Sequence, residues 1–383
     1  MACKLVTLFF FVNLLMQIPK VRATVPAIIV FGDSTVDPGN NNQVSTVLKS
    51  NFEPYGRDYY GGQPTGRFSN GRIATDFISE ALRIKPAIPA YLDPKYDIED
   101  FATGVSFASA GTGYDNATSD VLSVIPFWKE LEYYKEYQNK LRKHLGKDEA
   151  NQRFSESLHL ISIGTNDFLE NYYIFPTRSS EYSVDEYQSF LIGIASNFIR
   201  ELYKLGARKV VIGGLPPMGC LPLERTTNMF FGSDCIDEYN DVAKDFNKKL
   251  QGAVTELKQE LGGIHLVMSS PYDKLMEMIR NPSHFDIAYL YGHEMILLTS
   301  SMNGLRHRRP IYKNTIMDTR FEDAETACCG TGFFEMSYLC DNMNPFTCSD
   351  ANKYVFWDAF HPTEKTNAIL ADYVVKTTLA EFQ

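Results

Sequence analysis

Beyond its first two dozen residues the chain lacks any run of about eighteen apolar residues, the length a membrane-crossing helix needs, so no anchor is expected in the mature protein. Basic residues are in deficit. Lys and Arg number 37 against 47 Asp and Glu, a formal net charge of −10 with His neutral. That balance argues against nucleic acid and against anionic membranes as partners. No Pro- or Ser-rich linker divides the 383 residues, and a single domain over residues 24–383 is expected. The C-x-x-C pair of a zinc site is missing, and so is the G-x-S-x-G elbow of many hydrolases. Nothing in the sequence marks the exposed apolar lid or rim that interfacial action on lipid requires.

What is present points to an export route. Lys4, then the apolar stretch Leu5 to Met16, then Val21-Arg22-Ala23 have the order of a signal peptide cleaved after Ala23, so a secreted, extracellular protein of the cell wall or apoplast is expected. Cys3 would leave with it. Cys220, Cys235, Cys328, Cys329, Cys340 and Cys348 remain, an even number suited to an oxidising compartment. Cys220 and Cys235 bracket one loop and are expected to pair. The neighbours Cys328 and Cys329 fit each other poorly, so each should bond Cys340 or Cys348, in either order. Asn116-Ala117-Thr118 is a glycosylation sequon and implies a surface loop.

Strand-like and helix-like runs alternate. Short apolar strands are expected over 26–31, 104–108, 157–163, 207–212 and 264–268. Helices are expected over 69–82 with Ser69 as N-cap, 126–145, 185–205, 235–261 and 364–379. In the 235–261 segment, Tyr239, Val242, Phe246, Leu250, Val254, Leu257 and Leu261 step by three and four. Strands separated by helices imply a mainly parallel sheet covered on both faces, with ligands beyond the carboxyl ends of its strands.

Four segments fall at those ends. Ser34 follows the first strand and is the candidate nucleophile, inert until a base takes its proton. Its bland alternative is a helix N-cap. His361, near the other terminus, is the candidate base, and Asp358, three residues earlier, can reach its Nδ1–H and fix the tautomer. The alternatives there are a turn His and a solvated loop charge. Acyl transfer also needs donors for the developing oxyanion. The Asn166 amide, the Gly111 N–H and the Ser34 N–H are the candidates, against an Asx-turn residue and a plain turn glycine.

Gly32-Asp33-Ser34, Gly111, the run Gly164 to Asp167 (GTND) and Asp358 to His361 resemble the four blocks of the SGNH hydrolases. More closely, the chain resembles the plant GDSL-type esterase/lipase family. FGDSTVDPGNNN (Phe31 to Asn42), GRFSNGR (Gly66 to Arg72), GLPPMGC (Gly214 to Cys220) and ACCGTG (Ala327 to Gly332) match it as well. The resemblance implies a flavodoxin-like three-layer α/β/α fold. It also implies a Ser–His–Asp site with the oxyanion hole just named, and hydrolysis of small-molecule or lipid esters without a metal or cofactor. A catalytically idle extracellular binding protein, or an acyltransferase using the same site, is the alternative. Two features depart from the family. Thr35 replaces the name-giving Leu and is expected to change little. Residues 286–320, with the basic run Arg306 to Arg309, intervene where the family runs directly on; they read either as a surface excursion or as translated intron.

Overall fold

Strands buried on both faces set the layers. A computed structural model describes residues 25–175, 177–228, 234–285 and 320–382. The expected signal segment 1–23 lies outside the described residues, as does all of the expected insertion 286–320 except Arg320. Five strands form one sheet: β1 (Ile28–Gly32), β2 (Gly104–Ser106), β3 (Leu158–Ser162), β4 (Lys209–Gly213) and β5 (His265–Ser269). Their order is β2-β1-β3-β4-β5 and every pairing is parallel, with Ile29 opposite Val105, Val30 opposite Leu160, and Val211 opposite both Leu160 and Val267. Successive strand residues point to opposite faces. Ile28, Val30, Leu158, Leu160 and Val211 therefore pack on one side, and Ile29, Phe31, Ile161, Val210 and Ile212 on the other. The expected parallel sheet covered on both faces is what the chain forms, and it is the flavodoxin-like three-layer α/β/α fold.

The long helices are α1 (Ala74–Ala81), α2 (Asn116–Leu122), α3 (Phe127–Leu145), α4 (Lys147–Glu156), α5 (Val184–Lys204), α6 (Asp237–Glu260), α7 (Tyr272–Arg280) and α8 (Glu364–Thr377). Helices α1 and α8 bring Ile78 and Ala371 to the first face. Helices α3, α5 and α6 bring Tyr134, Leu191, Phe198 and Leu250 to the second. Ser183 starts α5 with a capping box, its hydroxyl taking the Glu186 N–H while Glu186 accepts from the Ser183 N–H at 2.9 Å. Thr363, two residues after His361, caps α8.

Three sequence expectations change. Ser69 is no cap: its hydroxyl donates to the Pro362 carbonyl at 3.1 Å, and α1 starts five residues later, where Asp76 takes the Ile73 N–H. Helix α4 was missed, because its sequence is charged with almost no apolar period. A second, two-stranded sheet of β6 (Asp323–Ala327) and β7 (Tyr354–Phe356) was also missed, since the sequence of β6 has no β-former but Thr326. The cysteines pair as Cys220–Cys235, Cys328–Cys348 and Cys329–Cys340, which fixes the order left open by spacing.

Candidate active site

In an open sheet of order 2-1-3-4-5 the topological switch point lies between β1 and β3, and the loops leaving those two strands frame a crevice. Ser34 leaves β1 and Asn166 leaves β3. Gly32 makes the turn between β1 and Ser34 possible. Its φ is +138°, and a Cβ there would sit 1.9 Å from the Ser162 carbonyl oxygen. Its N–H donates to Glu130 Oε2 at 2.8 Å from below, and the Asp33 N–H donates to the Ser162 carbonyl. Asp33 then closes the loop by accepting both the Thr35 N–H at 2.9 Å and the Thr35 hydroxyl at 2.7 Å. The Thr35 hydroxyl also meets Ser162 Oγ at 2.9 Å. A leucine could make neither contact, so the Thr35 side chain does structural work that the sequence did not suggest.

The two ends of the chain meet at this turn. Ser34 Oγ is 2.7 Å from His361 Nε2, and His361 Nδ1 is 2.8 and 2.9 Å from the two oxygens of Asp358. All three side chains are buried. The carboxylate on Nδ1 holds the ring proton there and leaves Nε2 to accept the Ser34 hydroxyl. Asp358 is itself fixed from four directions. Oδ1 also takes the backbone N–H groups of Phe360 and His361, and Oδ2 takes the Tyr55 hydroxyl at 2.6 Å. The Tyr55 oxygen in turn accepts the Ser337 N–H at 2.9 Å. Tyr55 was not legible in the sequence, because an isolated aromatic carries no spacing signal. The Phe68 ring packs on the imidazole, centroids 4.8 Å apart. Beside it Arg67 forms a buried two-pronged pair with Asp76 at 2.8 and 2.9 Å, which explains the Arg and Phe of the GRFSNGR run.

The three expected oxyanion donors lie on the loops around this turn. Asn166 is buried and its amide donates to the Thr112 carbonyl at 2.9 Å, which fixes its plane and leaves its second N–H. Gly111 has φ +83°, and a Cβ there would meet Leu48 Cδ2 at 2.6 Å. Among the described residues the backbone N–H groups of Ser34 and Gly111 meet no acceptor. The loops carrying them are cross-linked. Asn40 donates to the Ser106 and Ala108 carbonyls, Asn41 to that of Ala110, and Asp37 accepts the Ala110 N–H. Asp167 accepts the N–H groups of Tyr114 and Asp115 and the Thr118 hydroxyl. The asparagine run after Ser34 and the Asp after Asn166 thus tie three loops into one rigid rim. Asn116 is exposed, but as the first residue of α2 rather than in a loop.

An apolar cavity of about 160 Å³ adjoins the turn, walled by Thr35, Val36, Ile78, Leu160, Leu215 and Leu370 among others. A dry cavity of about that size takes a six-membered hydrocarbon ring.

Burial raises several carboxyls of this rim. Asp33 and Asp37 are pushed up to about 6 and Asp167 to about 7, each by desolvation that outweighs its hydrogen bonds. Glu224, buried elsewhere, also rises to about 7. A carboxyl raised in the folded state keeps a proton that the unfolded chain has released. From about pH 4 to pH 7 these four groups therefore make stability fall as pH rises. His159 opposes them. Burial lowers it to about 4, so its contribution falls as pH drops from about 6.5 to 4. With Glu170, which burial pushes up to about 8, acting in the same sense as these four against one histidine, Tm should be several °C higher at pH 5.5 than at pH 8 by differential scanning fluorimetry. An equal or higher Tm at pH 8 would contradict the assignment.

Comparison with known proteins bears on this geometry. The GDSL-like lipase/acylhydrolase family model matches residues 28–374. Three Arabidopsis thaliana proteins, each named a GDSL esterase/lipase, are similar over nearly their whole length. One is 61% identical over 371 residues, covering 97% of this chain and 96% of the relative. The second is 58% identical over 358 residues, covering 94% and 93%. The third is 53% identical over 354 residues, covering 92% and 91%.

Proposed function

This chain belongs to the GDSL-like lipase/acylhydrolase family and is a carboxylic ester hydrolase; from that premise we propose that Ser34, His361 and Asp358 are its catalytic residues. Ser34 Oγ attacks the ester carbonyl as His361 Nε2 takes the hydroxyl proton. The tetrahedral oxyanion is held by the Ser34 and Gly111 N–H groups and the Asn166 amide. His361 then gives the proton to the leaving alkoxide, and an acyl-serine remains. Water adds to that acyl group as His361 takes one of its protons, and on collapse His361 passes that proton to the departing Ser34 Oγ, which returns the carboxylic acid and free Ser34. Asp358 orients the imidazole and stabilises its charged form throughout.

The observation that carries this reading is the 2.7 Å contact between Ser34 Oγ and His361 Nε2, with Asp358 behind the ring. An idle binding protein needs no such alignment of residues 327 positions apart. Transfer of the acyl group to an alcohol would use the same residues and differs only in the second acceptor. Residues 24–383 are read as one domain. Secretion after removal of residues 1–23 agrees with three disulfides, and Asn116 is exposed for glycosylation.

A fluorophosphonate probe followed by peptide mass spectrometry tests the nucleophile. Labelling confined to Ser34 is expected, and a folded sample that stays unlabelled would favour the binding protein. Asn166→Ala should lower kcat on p-nitrophenyl butyrate by about 10²–10³ with little change in KM, as the loss of one oxyanion donor does elsewhere. A change below about threefold would remove Asn166 from the hole.

A further inference from the structure

Thirteen large hydrophobic side chains are exposed among the described residues, and six of them, Phe333, Phe334, Tyr338, Leu339, Met343 and Phe346, lie in one stretch of fourteen residues. Met343 is 86% exposed and Phe346 70%. Singly exposed apolar residues are ordinary, whereas a contiguous set marks an interaction surface. Exposed Val47 is tied to the same patch, because the Ser337 hydroxyl donates to the Val47 and Lys49 carbonyls.

The patch is held rigid. Cys329–Cys340 and Cys328–Cys348 staple it. Ser337 has φ +49°, uncommon for a residue other than glycine. Glu335 turns inward, accepting the N–H groups of Thr331, Phe333 and Phe334, so the outward face keeps the apolar groups. The loop is also bonded directly to the catalytic one. The Glu335 carbonyl accepts the N–H of Ala359, which lies between Asp358 and His361, and Ser337 donates to the Tyr55 oxygen that supports Asp358.

We propose that this stapled loop docks the enzyme on the surface of an aggregated, uncharged ester, such as a neutral acylglycerol emulsion. The inference rests on the esterase reading above. The occupant follows from charge and position. Between Phe333 and Asn352 there is no Lys or Arg, while Glu335, Asp341 and Asp350 are acidic, and the whole chain carries −10. The stretch itself thus supplies none of the basic side chains that attraction to an anionic bilayer needs beside the apolar ones. A neutral ester phase makes no such demand, and the loop that would meet it is bonded to the segment carrying Asp358 and His361. No helix among the described residues is long and apolar enough to cross a membrane, so the contact is superficial. The patch is the apolar rim that the sequence did not reveal, because six hydrophobic residues in an irregular Cys-rich stretch have no period to separate exposed from buried.

The double variant Met343→Ser/Phe346→Ser tests the proposal, both side chains being exposed and outside the catalytic machinery. Burying one such side chain at an apolar surface is worth about tenfold or more. Turnover of dissolved p-nitrophenyl acetate should stay within about twofold of wild type, while the rate on a tributyrin emulsion falls at least tenfold. Ser34→Ala protein with the loop intact should co-float with a trioleoylglycerol emulsion, and the same protein carrying the double substitution should not. Unchanged emulsion rate and flotation in the double variant would overturn the proposal. So would a wild-type dimer in sedimentation that the double variant dissociates, because the patch would then be covered by a second copy of the chain. Because flotation is read on the Ser34→Ala background, it tests docking even if Ser34 proves not to be the nucleophile.

Discussion

Ser34→Ala should lower kcat on a soluble p-nitrophenyl ester by roughly five to six orders of magnitude, the size of effect seen when a serine nucleophile is removed from such a site. The three groups act as a unit. Without Oγ the imidazole has nothing to deprotonate, and Asp358 orients a base with no function. A residual rate of about 10³ over water should remain, because the oxyanion donors and the binding surface survive and can assist direct attack by water. The fold should be nearly untouched. Ser34 sits on a turn held by Gly32, Asp33 and Thr35, none of whose bonds uses the Ser34 hydroxyl. The loss is one hydrogen bond to His361, typically about 1 kcal/mol, so Tm should move by only a few °C. A variant with wild-type turnover would end the assignment. One that has lost its near-ultraviolet dichroism would say only that the turn is more fragile than its bonding implies, and Ser34→Cys would then carry the kinetic comparison.

The parallel sheet was legible because its strands are short, apolar and bounded by glycines, and the long amphipathic helices because their stripes step by three and four. Apart from the start of α1, which lies five residues later, element ends moved by one or two residues, as fraying does. The site residues were legible because local spacing couples Asp358 to His361 and because Ser34, Gly111 and Asn166 each follow a strand. Their supports were not. Tyr55 reaches Asp358 across 303 positions, and Glu130 reaches Gly32 across 98. Such contacts belong to the packing of loops, and nothing periodic announces them. The part Thr35 plays was hidden for a related reason: no chemistry was expected of its side chain, and its hydroxyl bonds Asp33 and Ser162 in the turn that carries Ser34.

The supports also suggest how the rim stays fixed at a switch point, where loops from different strands meet with little regular structure. Asp37, Asn40, Asn41 and Asp167 replace missing ladder bonds by side-chain bonds to backbone. Each satisfies a buried N–H or C=O that water cannot reach. The arrangement needs side chains that are short and polar at fixed offsets, which is why the FGDSTVDPGNNN run is long although only Ser34 is proposed to do chemistry. Preorganised donors stabilise charge without reorganising, so under the proposed mechanism a rim of this stiffness would serve the oxyanion donors it carries.

Asp358→Asn should be the most informative substitution after Ser34→Ala, lowering kcat by about 10⁴ while the shape of the site is kept. In the native protein both carboxylate oxygens only accept: Oδ1 takes the His361 Nδ1–H and two backbone N–H groups, and Oδ2 takes the Tyr55 hydroxyl. An asparagine has one oxygen to offer. If that oxygen stays with the backbone donors, its NH₂ faces the Tyr55 oxygen and the edge of the imidazole. Tyr55 can adapt, because a hydroxyl both donates and accepts. His361 cannot adapt without harm. With an amide donor beside it, Nδ1 is favoured as the acceptor, and the ring proton moves to Nε2, where it faces Ser34 Oγ. The base is then blocked by its own proton. The charge that stabilises the imidazolium in the transition state is lost as well. Tyr55→Phe removes only one donor to the same carboxylate and leaves the tautomer alone, so its effect should be far smaller, about tenfold or less. Single-turnover rates on p-nitrophenyl butyrate for the two variants separate the roles. A ratio near one between them would mean that Asp358 merely holds the loop in place, and the tautomer argument would fail with it.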